Sequence, residues 1–592
     1  MTTKNRESSA IVREMFFGSL SVLIFSSVST MLGSLVDGII TSRFLGDAAM
    51  ASFSIVSPVY NILMMLSGIL SSGTQVAYTR HIGRGDADRA RAVFNICFFT
   101  ALGLSVTLMI VSFFGSDVIC SLLGASGKDA NMLPMASAYL KGFALGFPAN
   151  LLVPIISGFM QIDGDRQRTV YATGIMTATN ITGDLLNVFV FHGGMFGMAF
   201  ATSVANYVAL VILLLHFTKK NIVLAISPRG LVGSDIGEIV KNGLPNAIAN
   251  GSLMLQKITL NYLLLAIAGQ WAVSALGKSF TFYGFVNTVQ MGIGQSVMLI
   301  AGILAGEEDA RGLKDLQNIA IKFSLICAVI CCAVILLFTP VFVGLFMADT
   351  TGEAYTAALA IFRANAVGLP FMGINLVFML YLQGIRNAVL ARTFSFLERA
   401  VYIIGLAVLL GVLFGVDGVW VAMPIAEIAT LLTYLVVVVV RKGKRESLRA
   451  GFLFLRENFG ALSENLLEFS MRTMEDVVAA SDCVQQFVRT HGGSARERMM
   501  LPLCLEEMAG NIIRFGFSDG KAHHIESKVI RKEDGFVIRL KDDCAPFSPT
   551  EWLSLHEAED KTANIGIRMV TAVAKEVRYV SSMQMNCLIL DV

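Results

Sequence analysis

The fold class predicted is an all-α polytopic membrane protein, twelve helices in two six-helix repeats, followed by a C-terminal α/β two-layer sandwich. Three observations carry it. Of the 592 residues, 55% are hydrophobic and 15% charged, with mean hydropathy +0.66, too apolar for a soluble protein of ordinary charge content. Apolar segments long enough to cross a bilayer, which takes about 20 residues, recur throughout the first 440 positions. After Val440 the composition changes abruptly: Arg441-Lys-Gly-Lys-Arg445 closes the apolar part and charged residues become dense.

Taken in order, the apolar segments lie near 15–40, 48–72, 92–115, 133–160, 170–191, 196–217, 244–268, 272–304, 320–346, 356–382, 393–414 and 418–440. The first is too long for a signal-peptide core and lacks a small-residue cleavage site, so it reads as a retained membrane helix. Lys and Arg cluster after every second helix: Arg80, Arg84, Arg89 and Arg91, then Arg166 and Arg168, then Lys219, Lys220, Arg229 and Lys241, and again Arg311 and Lys314, Arg386 and Arg392, and Arg441 to Arg445. By the positive-inside rule these loops, both termini and the tail are cytoplasmic, and the membrane is the cytoplasmic (inner) one. The net charge of +2 and the absence of a basic patch with interleaved aromatics argue against a nucleic-acid partner. Nine cysteines without zinc-type spacing support neither a disulfide framework nor a metal site.

The fifth segment carries a polar stripe. Thr173, Thr177, Asn180, Asp184 and Asn187 are spaced by four, three, four and three, hence on one helical face. A carboxylic acid in mid-membrane costs about 2.5 to 3.5 kcal/mol on insertion scales and is expected to face a cavity and act there; the alternative is an interhelical hydrogen bond that only joins helices. Asp184 is therefore the first candidate residue. Asp37, beside Gly33 and Gly38, adds a second acid in the first half. The second half carries Gln256, Lys257, Lys278 and Glu427, where pairing and substrate contact are both open.

An internal repeat sets the organisation. Gly146-Phe-Pro148 returns as Gly368-Leu-Pro370 at the same offset that separates Gln161 from Gln383, and Gly194, Gly197, Ala201 and Ala205 return as Gly415, Gly418, Ala422 and Ala426. The expected domains are a first six-helix bundle (1–221), a connecting loop (222–241), a second bundle (242–440), a basic linker (441–464) and the tail domain (465–592). Six crossings return the chain to the starting side, so the halves are parallel repeats, with substrate bound between or within them.

Val36-Asp37-Gly-Ile-Ile-Thr-Ser-Arg-Phe-Leu-Gly46, Asn180-Ile-Thr-Gly-Asp184 and Gly194-Met-Phe-Gly-Met-Ala-Phe-Ala-Thr202 resemble the multidrug and toxic compound extrusion (MATE) family over residues 10 to 440. The resemblance implies a V-shaped, cation-coupled antiporter that expels small amphipathic, often cationic, organic molecules from the bilayer-embedded cavity. Carried over, the coupling site comprises Asp37, Tyr139, Asn180, Asp184 and Thr202, with proton or sodium as the coupling ion; Lys278 departs from the pattern and bears on substrate charge. Two other readings stand beside it: a membrane-bound sensor whose tail signals to a regulator, and a flippase for a lipid-linked precursor.

In the tail, strands are expected at 466–471, 524–531, 536–541, 577–582 and 586–592 and helices at 475–490, 496–515 and 564–575, a mixed sheet with helices on one face. Glu507 and Asn511 fall one helical turn apart, suited to polarising water and holding magnesium. Asp542-Asp-Cys-Ala-Pro-Phe547 leaves a strand, and Asn564-Ile-Gly566-Ile opens a helix whose N-terminus can meet phosphate. Together they resemble the GHKL ATP-binding superfamily, of the small anti-sigma-factor kinase type. The resemblance implies Glu507 as general base, Asn511 as magnesium ligand, Asp542 as adenine reader, Gly566 in the phosphate turn, serine/threonine kinase activity and a cytoplasmic regulator as partner. Cys544 stands where that family has glycine, and Ala563 and Asn564 where it has a glycine pair, which hinders close backbone approach to phosphate. His523 and His524 are given no role. No Walker-type loop is present, so transport is not expected to be driven by ATP hydrolysis.

Overall fold

The computed structural model describes residues 4–45, 47–125, 132–218, 224–227, 234–346, 352–441, 451–455, 459–461, 463–519, 523–532, 535–555 and 565–592. The first half contains α1 (Lys4–Ile40), α2 (Asp47–Gly83), α3 (Ala87–Phe114), the short α4 (Ser116–Cys120), α5 (Met132–Ala144), α6 (Phe147–Ile162), α7 (Arg166–Leu186) and α8 (Gly194–Leu214). The second contains α9 (Ser234–Ala268), α10 (Gln270–Gly306), α11 (Ala310–Phe346), α12 (Glu353–Gly384), α13 (Ala388–Phe396) and α14 (Ile403–Arg441).

Among the described residues nine helices are long and apolar enough to cross a bilayer. One of them, Ala388–Arg441, is 54 residues long, far more than a single crossing needs, and it breaks at Gly415 (φ 65, ψ −144), a conformation only glycine adopts readily. It therefore makes two crossings. The pair α5 and α6, bent by 47°, makes another, and α7, whose polar stripe lowers its hydropathy, completes the expected twelve. The region 222–241, read as a connecting loop, is helical from Ser234 onward, because α9 extends below its apolar stretch.

The repeated Gly-x-Pro has two different outcomes. Gly146 and Pro148 stand at the kink between α5 and α6, whereas Gly368 and Pro370 lie inside the continuous α12. The matching prolines thus give a broken helix in one half and an unbroken one in the other.

The tail has β1 (Leu466–Met471), α15 (Met474–Thr490), α16 (Ala495–Asn511), β2 (Ile525–Lys532), β3 (Gly535–Asp542), α17 (Pro549–Leu555), α18 (Ile565–Val573), β4 (Glu576–Ser582) and β5 (Met585–Asp591). Capping boxes start both long helices, Thr473 with Asp476 and Ser494 with Glu497. Strand order is β1-β2-β3-β5-β4 and every pairing is antiparallel, which corrects the expectation of a mixed sheet. Neighbouring strands are antiparallel throughout, while β3 and β4, each antiparallel to the β5 between them, run the same way and are joined by the crossover that carries α17 and α18. The short α17 was not foreseen, and Ala563 and Asn564 lie outside the described residues.

Alternation makes the sheet two-faced. Val529, Ile538, Leu540, Leu588 and Leu590 share an apolar core with Val477, Val484, Leu501 and Leu505 of the helices. Glu468, Glu526, Lys528, Arg539, Lys541 and Arg578 occupy the other face, which rests on the membrane part against the loops 83–87, 162–166 and 306–310. The stretch 451–455 packs on the second half rather than hanging free: Tyr381 donates to the Leu453 carbonyl at 3.1 Å and Gln317 to that of Phe452 at 3.0 Å.

Candidate functional site

A cavity of about 490 Å³ lies between the halves. From the first half Asp37, Tyr139, Asn180 and Thr202 line it; from the second, Asn246, Met291, Gln295 and Leu380 do. The stripe on α7 faces α1 along its length: Thr177 donates to the Ser29 carbonyl at 3.3 Å and Thr173 to the Ser26 hydroxyl at 3.4 Å. One turn further, Asn180 Nδ2 donates to Asp37 Oδ1 at 2.5 Å.

Asp184 follows on the same face, fully buried and within hydrogen-bond reach of the Asp37 carboxyl. Both of its oxygens and Asn180 Oδ1 are buried without a donor. Three acceptor oxygens are thereby gathered beside a second carboxylate, an arrangement that asks for a proton or a cation. Tyr139 closes the wall through edge contact with Phe53 (5.5 Å) and parallel contact with Phe143 (6.3 Å). Thr202 turns back to the Met198 carbonyl at 3.4 Å. Asn187, the last residue of the stripe, is structural: it accepts from the Gly193 N–H at 3.1 Å and donates to the Gly194 carbonyl at 3.0 Å, holding the α7–α8 turn.

Glu427 is not brought to this site. It is buried inside the second half, where Asn375 Nδ2 donates to its Oε2 at 2.8 Å and to its carbonyl at 3.0 Å, near the buried Glu398. Glu398 and Asn375 carried no sequence signal beyond being polar in apolar runs. Lys257 lies over the Phe280 ring at 5.6 Å, and Lys278 stands on α10 with its side chain outside the described ones.

In the tail, Asn511 Nδ2 donates to Glu507 Oε1 at 3.0 Å, and Gly566 at the start of α18 lies against the Glu507 carboxyl so closely that a Cβ there would collide with it. Asp542 is buried at the end of β3, and its Oδ1 accepts from Asn586 Nδ2 at 2.8 Å and from the Cys544 N–H at 3.0 Å. Burial pushes its carboxyl above the usual range, with the bonds from Asn586 and Cys544 pulling the other way. Tyr579 holds Asn586 through a 2.8 Å bond. Asn586 and Tyr579, which sequence reasoning missed, are thus part of the Asp542 site. Cys544 packs 2.8 Å from where a Gly516 Cβ would stand, filling the space that glycine would leave. His523 pairs with Asp543 at 3.1 Å.

A largely apolar cavity bearing an acid and a few polar groups between two helical halves fits a membrane transporter, here carrying a separate α/β domain. The chain belongs to the MatE family, whose model matches residues 23–186 and 245–415, and residues 471–592 match the histidine kinase-like ATPase domain. The multidrug export protein MepA of Staphylococcus saprophyticus is 27% identical over 441 residues, covering 74% of this chain and 95% of its own length. The MepA protein of Staphylococcus aureus is 27% identical over 440 residues, with the same coverage. An outward-facing multidrug resistance MATE transporter superposes with TM-score 0.66 at 21% identity, over 71% of this chain and 93% of its own. A MOP superfamily transporter from Pyrococcus furiosus, described as having a binding pocket of reversed polarity, gives 0.64 at 21% over the same shares. These two likenesses establish the fold alone.

Proposed function

We propose that this multidrug-efflux-family transporter is a cation-coupled antiporter that exports small amphipathic organic compounds across the cytoplasmic membrane, with both termini and the tail cytoplasmic. The observation that carries the reading is the cluster of Asp37, Asn180 and Asp184, with three buried oxygens that accept no donor. Two carboxyls within reach of each other bond only when one is protonated and repel when both are ionised. Taking up a proton therefore draws α1 and α7 together along the stripe they share, and losing it loosens them. Sodium would serve through the same oxygens as ligands. Substrate competes for the cavity that Asp37 and Asn180 line, with Asp184 buried behind them, so cation entry and substrate exit become alternatives.

For the tail, the reading is a regulatory nucleotide-binding module. Glu507, Asn511 and Gly566 converge, and the Glu507 carboxyl lies directly against Gly566, where a side chain would not fit. Asn511 would hold a magnesium ion, Glu507 would serve as general base and Asp542 would read adenine; the bound ion would supply charge to the phosphates.

The deciding experiment is uptake of a fluorescent cationic dye into inside-out vesicles under imposed proton or sodium gradients, with wild type, Asp37→Asn and Asp184→Asn. Gradient-driven uptake lost in both variants is the expected outcome. No uptake by folded wild-type protein under either gradient would overturn the antiporter reading in favour of sensing or lipid flipping. Titration of the full chain with Mg-ATP, against Glu507→Ala and Asn511→Ala, tests the tail: saturable binding weakened in both variants is expected, and none in the wild type would sink the nucleotide reading.

A further inference from the structure

The polar face of the tail sheet is not solvated. Lys528 and Lys541 are each 6% exposed, and lysines are almost never so buried unless paired. Lys528 Nζ lies 2.5 Å from Asp309 and Lys541 Nζ 2.5 Å from Glu307, while Arg539 donates to the Glu307 carbonyl at 2.7 Å. All three grip the loop between α10 and α11, in the second half. The neighbouring strands grip the first. Arg578 donates to the Arg84 carbonyl at 2.7 Å, Ser582 Oγ and the Met583 N–H both reach the Ile162 carbonyl at 2.8 and 2.6 Å, and Arg166 donates to the Met583 carbonyl at 2.8 Å. One rigid sheet is bonded to both halves.

It is bonded where the halves themselves touch. A Cβ on Gly306 of α10 would stand 3.0 Å from the Gly83 Cα of α2, and one on Gly73 of α2 would stand 2.9 Å from the Gly243 nitrogen of α9. These backbone crossings close the cavity on the side that carries the tail. The β4–β5 turn lies against the end of α6, the start of α7, and α1 and α10. Its central residues, Met583 (φ 54) and Gln584 (φ 63), both have positive φ, which a two-residue hairpin normally assigns to Asn-Gly. Met583 is 1% exposed and joins an apolar cluster that includes Phe16 of α1 and Ile300 and Leu304 of α10. The turn is built from residues poor for turning and good for wedging.

We infer that the tail is a clasp on the cytoplasmic gate: its sheet face and the Met583 turn hold the two halves together there, so the transporter opens inward only when the clasp lets go. The inference rests on reading this side as cytoplasmic and on alternating access, but its test does not use transport. Hydrogen exchange of the full chain in lipid nanodiscs is compared for wild type, Lys541→Glu, and Lys541→Glu with Glu307→Lys. The clasp requires Lys541→Glu to speed exchange by roughly tenfold or more in the gate segments 79–86 and 299–307, and the double swap to slow it again. Should the inner-face strand residues Val529 and Ile538 also exchange fast, the tail has unfolded and Lys528→Gln is judged by the same criterion. Unchanged gate exchange in a variant whose turn segment 582–587 has been freed would overturn the clasp, as would a double swap that leaves the gate as fast as the single. Failure of dye uptake leaves these rates readable, so the two readings fail separately.

Discussion

At the scale of single residues the proposed coupling cluster depends on Asn180 as much as on the acids. Its amide donates to Asp37, and neither oxygen of Asp184 has a donor among the described residues. A hydrogen bond to a charged group contributes about 1.5–3 kcal/mol to stability, so Asn180→Ala should lower the melting temperature and slow gradient-driven uptake about tenfold or more; vesicle uptake and a melting curve together check it. The acids themselves could be read from sequence, because a carboxyl in an apolar helix at a fixed helical spacing has few uses. Glu427 had the same signature and lies elsewhere, since spacing along one helix does not say which neighbouring helix the residue will face. Asn586 could not be read at all: it becomes a partner of Asp542 only through the β3–β5 pairing, and those strands are more than forty residues apart in the chain.

At the scale of elements, α18 and the Met583 turn make separate predictions. Gly566→Ala should place a methyl against Glu507 and cost about 1–3 kcal/mol from overpacking, seen as a lower melting temperature of the full chain and weaker Mg-ATP binding. Replacing Met583-Gln584 by Asn-Gly should favour the turn itself, since that pair suits positive φ, yet speed exchange of the amide at position 583 by removing the buried methionine. Element positions in the tail were legible because capping boxes and period-two alternation are local signals. The sheet's uniformly antiparallel pairing was not, because strand order is decided by which edges meet after the helices have packed. The same limit explains α12, where Pro370 passes without the break that Pro148 accompanies.

For the molecule as a whole, twelve crossings and a tail were legible from apolar runs and loop charge, but the docking of the tail was not. Alternating Glu526 and Lys528 reads like an ordinary solvated strand face, and only the fold puts acids of another loop opposite it. The docked charges set a pH window. Burial pushes the Asp309 carboxyl up, but Lys528 and Lys541 outweigh it and hold it at about 2; its contribution is present above the ordinary carboxylate range and lost as pH falls toward that value. Burial disfavours the Lys528 ammonium, but Asp309 and Glu526 outweigh it and raise it; its contribution is present below the ordinary lysine range and lost only above it. Glu526 runs the other way, raised by burial, so its contribution grows on acidification. Through Asp309 and Lys528, tail docking, followed by exchange at 582–587, should therefore hold from neutral pH up to the ordinary lysine range.

The grip on loops 83–87, 162–166 and 306–310 is uneven. Two mounts sit on the first half and are made largely of hydrogen bonds to backbone carbonyls; the third, on the second half, is made of ion pairs, and the Met583 turn packs against helices of both. Of these joints, the one to the second half is the one whose strength a change of neighbouring charge can tune.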